Sequence, residues 1–202
     1  MGSQLRPALV LVVALHVLMG LVYPLAVTGI AQVVWPAKAG GSLVVVDGRP
    51  CGSRLIGQPF SAPGYFWGRP SATSPVPYDA SASSGSNLGP TNPALLDLVR
   101  TRIATLRAAG PSLTGPIPID LVTASASGLD PDISVGAALV QVPRVARARG
   151  MREASVRTLV ETREVAPTLG LLGEPRVNVL LLNLALDGTG TGGRSGVRRP
   201  GV

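Results

Sequence analysis

The chain has 202 residues, 46% of them hydrophobic and 14% charged, with 18 Lys and Arg against 11 Asp and Glu for a net charge of +7. That length supports one domain with a proper core, and so low a charged fraction means that an apolar segment inflates the average. One His and one Cys exclude a His/Cys metal cluster and a Ser-His-Asp or Cys-His arrangement in the soluble part, and a single lysine, Lys38, outside any GxxxxGK[ST] pattern excludes a P-loop.

From Pro7 to Trp35 the sequence runs without an acid, Lys or Arg. A helix needs about 20 apolar residues to cross a bilayer, so residues 7–35 read as one transmembrane helix behind a short tail, 1–6. The rival is a cleaved secretory signal, since Arg6 precedes the run and Ala37-Lys38-Ala39 is small-x-small, but signal cores span only about 7 to 15 residues. His16, Gly20, Pro24, Thr28 and Gln32 recur every four residues, which collects small, kinking and polar side chains toward one side of the helix. Lipid gives no reason for such a stripe, whereas close packing against membrane partners does. His16 reads as a packing or hydrogen-bonding residue rather than an ion ligand. Arg6 before the helix nearly balances Lys38 and Arg49 after it, but long following domains translocate largely regardless of charge. The expected arrangement is a cytoplasmic N-terminus, Trp35 at the outer interface and an extracytoplasmic domain. The lone Cys51 leaves the redox compartment undecided.

The remainder reads as an α+β domain over residues 36–187. Gly41 to Pro50 predicts a strand leading into a turn at Asp47-Gly48. Between Ser61 and Pro93, 21 of 33 residues are Gly, Pro, Ser, Thr or Asn, yet five of the seven aromatics (Phe60, Tyr65, Phe66, Trp67 and Tyr78) fall in or beside this stretch, so it is expected to be a packed loop rather than a tether. Asn92 predicts an N-cap with Pro93 in the first turn of a helix carrying Leu95, Leu98, Val99, Ile103 and Leu106 on its apolar stripe, stopped by Gly110. Pro116 to Ser125 reads as a strand, and Asp130 and Asp132 as a turn and an N-cap rather than cation ligands. Ser134 to Ala148 reads as a helix interrupted by Pro143, and Arg152 to about Val165 as another. Val177 to Asp187 fits a helix or a strand equally. The GxGxxG match from Gly188 to Gly193 has no helix after it and belongs to a Gly/Arg-rich tail, 188–202, expected to be disordered. Arg144, Arg147, Arg149, Arg152, Arg157 and Arg163 crowd one region, but Glu153, Glu161 and Glu164 are interleaved and no reader motif accompanies them, so nucleic acid is not expected as a partner.

The loop within that stretch, "SSGSNLGPTNP" (Ser83 to Pro93), carries no formal charge and one sizeable apolar side chain, Leu88. Gly85 and Gly89 allow tight backbone, Asn87 and Asn92 supply short-range hydrogen bonds and Leu88 one anchor, and with Ser86 these are the expected partner contacts of a loop held in one shape.

Several segments, "LRPAL" opening the apolar run, "GYFWGRPSAT" (64–73), "SGSNLGPTNP" (84–93), "LVTASASGLDPDIS" (121–134), "QVPRVARARG" (141–150) and "LGEPRVNVLLLNLALD" (172–187), occur in an order that resembles the KdpC family, the C subunit of the Kdp potassium-transporting ATPase. Ser84 departs from the usual "SGGSN". The resemblance implies a bacterial plasma-membrane pump that imports potassium at the cost of ATP. A KdpA-like channel subunit would carry the ion, a KdpB-like P-type subunit hydrolyse ATP, and a KdpF-like small subunit stabilise the complex. It implies for this chain a non-catalytic accessory role, either raising the ATP affinity of the ATPase subunit or capping the ion entrance, with ATP and potassium handled by the complex and no cofactor of its own. No "DKTGT" phosphorylation motif occurs. The alternative is a free-standing membrane-anchored envelope binding protein.

Overall fold

A computed structural model describes residues 2–110, 113 and 115–190. The chain divides into two compact units between Ser53 and Arg54, whereas the sequence changes character just after Trp35.

The first unit is dominated by helix α1, Ser3–Val34, long and apolar enough to cross a bilayer. It starts four residues before the predicted 7–35. Inside it, Leu18–Val22 forms a π-helical turn, closed by the Tyr23 N–H donating to the Leu18 carbonyl. The cause follows at Pro24, which has no N–H to give the Gly20 carbonyl and whose ring would strike it in a regular helix; a wider turn relieves both problems. Pro36 opens a one-turn helix, Pro36–Ala39. Strands β1, Leu43–Val46, and β2, Arg49–Ser53, then pair antiparallel, with Val46 opposite Arg49. The turn is Asp47-Gly48, both at positive φ (50° and 73°), the left-handed pair that matches the twist of a two-residue hairpin.

The second unit is α+β, as expected. After the 54–92 loop comes α2, Pro93–Ala109, whose N-cap Asn92 accepts from the Ala94 N–H through Oδ1 at 2.9 Å. Leu106 is buried and Leu95, Val99 and Ile103 are half-buried, but Leu98 faces solvent and leaves the predicted stripe. The strand expected at 116–125 is absent. Pro116 and Pro118 remove two ladder donors, and the segment makes a 3₁₀ turn at Ile119–Leu121. Strand β3, Asp132–Ser134, leads into α3, Val135–Leu139, and Pro143 sits in the first turn of α4, Val142–Arg149. The cap of α3 is Ser134, whose Oγ accepts from Ala137 N–H at 3.0 Å, and not Asp132. Helix α5, Glu153–Thr162, stops three residues short of Val165 because Glu164–Val165 becomes strand β4. The ambiguous run after residue 176 is both things: strand β5, Arg176–Asn178, passes into α6, Val179–Gly190. The small antiparallel sheet has the order β3-β5-β4. The predicted tail begins inside α6, and 191–202 lie outside the described residues.

The core gathers Leu106, Leu121, Ile133, Val142, Val145, Val156, Val160, Val177, Leu182 and Leu186 around Phe66 and Trp67. The last two come from the long loop, so the loop is part of the core. Its buried backbone is satisfied by two side-chain amides. Gln141 Oε1 accepts from the Trp67 N–H at 2.8 Å while Nε2 donates to the Trp67 carbonyl at 3.1 Å. Asn183 does the same for Phe66, at 2.8 and 3.0 Å. Burying a peptide group without such partners costs about 1–3 kcal/mol per group. Gln141→Leu, close in volume but without hydrogen-bonding atoms, is expected to destabilise the chain by about 2–4 kcal/mol in chemical denaturation.

Candidate partner-binding surfaces

The expected partner-contact residues fall in both units. On α1, His16, Gly20, Pro24, Thr28 and Gln32 are all exposed. The His16 ring donates from Nδ1 to the Val12 carbonyl at 2.8 Å, because a carbonyl can only accept. At 100° per residue a four-residue repeat drifts about 40° per step, or roughly 160° from His16 to Gln32. The π turn accommodates one extra residue and takes back about 100° beyond it, so the five positions fall within about 80°. The wide turn converts a spiral into a seam.

In the second unit, the uncharged loop has a pinned stem and a projecting apex. The Ser84 N–H donates to the Ser127 carbonyl at 3.1 Å and the Ser83 hydroxyl to the same oxygen at 3.0 Å. A Cβ on Gly85 would lie 2.8 Å from the Ala126 carbonyl oxygen, and one on Gly128, already at φ +68°, 2.7 Å from the Ser84 oxygen; the two backbones approach too closely for any side chain. Beyond this stem Ser86 and Asn87 are exposed, Leu88 is half-buried, and Asn87 adopts φ +51°, a conformation asparagine tolerates better than most residues. The Asn92 N–H closes the far end on the Gly89 carbonyl at 3.0 Å.

The residues missed in the sequence are those that brace the 63–68 part of the long loop. Arg144, only 4% exposed, donates to the Pro63 carbonyl and Gln141 Oε1, each at 2.6 Å, and its guanidinium lies 4.5 Å from the Trp67 ring centroid. Arg102 stands 5.5 Å from the same ring and binds the Leu121 and Gly68 carbonyls. Burial, with repulsion from Arg102, lowers the Arg144 pKa to about 10; burial also lowers that of Arg102. Arg149 donates to the Gly64 carbonyl, pairs with Asp187 at 2.8 Å and covers the Tyr65 ring. Two of the six crowded arginines are thus committed to the fold, while Arg147, Arg152, Arg157 and Arg163 are exposed.

A cleft of about 630 Å³ is lined by Asp120, Asp130, Asp132, Glu174, Arg69 and Arg176 among others. Its aspartates are engaged: Asp120 accepts from the Ser134 N–H, Asp130 pairs with Arg69 at 3.0 Å, and Asp132 binds Arg176 and Asn178 at 3.0 and 2.9 Å. Among the described residues no group of three His, Cys, Asp or Glu is placed to hold a metal ion. These aspartates hold neighbouring loops in place.

Comparison with known proteins agrees with the order of motifs. A family model described as "KdpC: K+-transporting ATPase, c chain" matches residues 5–188. The potassium-transporting ATPase KdpC subunit of Polaromonas naphthalenivorans is 63% identical over 187 residues, covering 93% of this chain and 95% of the relative. The corresponding subunit of Sorangium cellulosum is 63% identical over 188 residues, covering 93% and 99%, and that of Methylibium petroleiphilum 61% over 188 residues, covering 93% and 98%. With its membrane-length helix, braced α+β unit and similarity to these subunits over 93% of its length, the chain belongs to the KdpC family of K+-transporting ATPase c chains.

Proposed function

We propose that this chain is a non-catalytic accessory subunit of an ATP-driven potassium importer, docking through the α1 seam and the 83–93 loop onto KdpA-like, KdpB-like and KdpF-like subunits. The observation that carries the reading is the similarity along nearly the whole chain to relatives named as KdpC subunits of potassium-transporting ATPases. The geometry supports it. The small and polar positions of α1 form a seam suited to close packing in a bilayer, and the loop presents an uncharged apex on a rigid stem, a shape that costs little entropy to dock.

The 54–190 unit is placed outside the cytoplasm, where it shapes the ion entrance of the channel subunit. An uncharged loop there neither traps nor repels a passing cation. Any rise in ATP affinity then reaches the ATPase subunit through membrane helices, as a coupling of about 1–3 kcal/mol, with no nucleotide bound to this chain.

Three outcomes test the proposal. In a reconstituted complex, Asn87→Ala with Leu88→Ala lowers subunit retention in detergent about tenfold, read by co-purification, if the apex is an anchor of the interface. Gly20→Leu, which fills the seam without reducing hydropathy, leaves membrane insertion intact and abolishes assembly, read by blue-native electrophoresis. A membrane-impermeant maleimide labels the single cysteine, Cys51, in intact cells; labelling only after permeabilisation would put the domain in the cytoplasm and reopen direct nucleotide contact. A chain that purifies with no other pump subunit would favour the envelope binding protein instead.

A further inference from the structure

Beyond β4 the chain turns back through a tip whose side chains face away from the fold. Leu169 is 87% exposed, Leu171 86% and Leu172 63%. Such side chains at the end of a tight turn do not result from a slack loop, because the backbone here is internally satisfied. Thr168 and Leu172 exchange both backbone hydrogen bonds at 2.9 Å, the Gly170 N–H reaches the Pro167 carbonyl at 2.9 Å, and the Leu171 N–H reaches Thr168 at 3.2 Å. Leu169 and Gly170 both take left-handed conformations, φ +57° and +73°. Glycine does this freely, but a leucine there works against its own Cβ. The turn therefore holds large apolar side chains in water, in a conformation that asparagine or glycine would occupy with less strain. The shape is set before any partner arrives.

Charge decides among occupants. No residue from Val165 to Gly173 is charged, while the flanks carry Glu161, Glu164 and Glu174 against Arg163, a net charge of −2 for residues 161–174 in a chain of +7. Segments that enter a bilayer surface carry aromatic residues and a basic collar that meets anionic headgroups; this tip has neither, and its acids oppose such contact. A second copy would set the same acids against each other. What remains is a protein socket, apolar at its floor and basic or amide-lined at its rim.

We propose that Leu169, Leu171 and Leu172 form a preshaped knob that inserts into an apolar, basic-rimmed socket on another subunit of the potassium-transporting ATPase. This rests on the accessory-subunit reading above and adds a third contact, remote in sequence from the α1 seam and the 83–93 loop. The experiment uses the full chain within its complex. Leu169→Asn with Leu171→Ser suits the turn conformation, so the melting midpoint of the purified chain stays unchanged while the other pump subunits recovered with it fall about tenfold or more, as for a buried anchor. Independently, a photoreactive benzoylphenylalanine at position 171 in native membranes gives an adduct that mass spectrometry identifies as another subunit of the same ATPase. Adducts only with lipid or with a second copy, together with undiminished recovery of the double variant, overturn the knob and leave the accessory role standing. A wild-type chain that recovers no pump subunit overturns both.

Discussion

Two buried side-chain amides hold this domain together. Gln141 on the approach to α4 and Asn183 on α6 each pair with both the N–H and the carbonyl of a core residue from the long loop, Trp67 and Phe66. A loop cannot ordinarily enter a core, because its peptide groups have no ladder or helix to bond with. Here the amides serve as surrogate strands. They let a Gly- and Pro-rich segment contribute two of the largest apolar side chains in the protein, and they tie that segment to two helices far away in sequence.

The same region explains much of the basic composition. Arg144 is buried, and among the described residues no carboxylate accepts from it; the Pro63 carbonyl, the Gln141 amide oxygen and the face of Trp67 receive its charge. A guanidinium tolerates this better than an ammonium would, being planar, weakly hydrated and able to stack. Its lowered pKa is the expected sign for a cation deprived of water, and at neutral pH the group stays charged. Arginine in such a setting is a bracing strut. The charge pattern that suggests a surface for polyanions is partly spent inside the fold, and the polar inventory of the 54–190 unit goes largely into holding loops in place.

What was legible in the sequence was local. Asp47-Gly48 between apolar runs, Asn92-Pro93 before a periodic segment and Pro143 breaking a helical stretch each carry their structural meaning within a few residues, and each appears where expected. The sheet was hidden because its strands are two or three residues long, too short to show an alternating pattern. Pro116-Ile-Pro-Ile looked like a strand by hydropathy, but the prolines that punctuate it forbid the ladder. The run from Val177 was undecidable because it changes from strand to helix within two residues. The amide pairings were beyond reach for another reason: they join positions 74 and 117 apart, and nothing in the local chemistry of a glutamine or an asparagine says which distant peptide it will meet. Of the candidate surfaces, the sequence showed composition, the four-residue spacing and the absence of charge, but neither the pinned stem of the loop nor the leucine tip.

The wide turn in α1 has a consequence of scale. Sixteen residues at about 1.5 Å each carry the distance from His16 to Gln32 to roughly 24 Å, most of the hydrocarbon thickness of about 30 Å. With the phase slip at Leu18–Val22, that whole length faces one direction, so one neighbouring rod suffices to cover it. A regular helix with the same sequence spacing would wind its polar groups almost halfway around its axis and would have to find a second neighbour or leave half of them in oil.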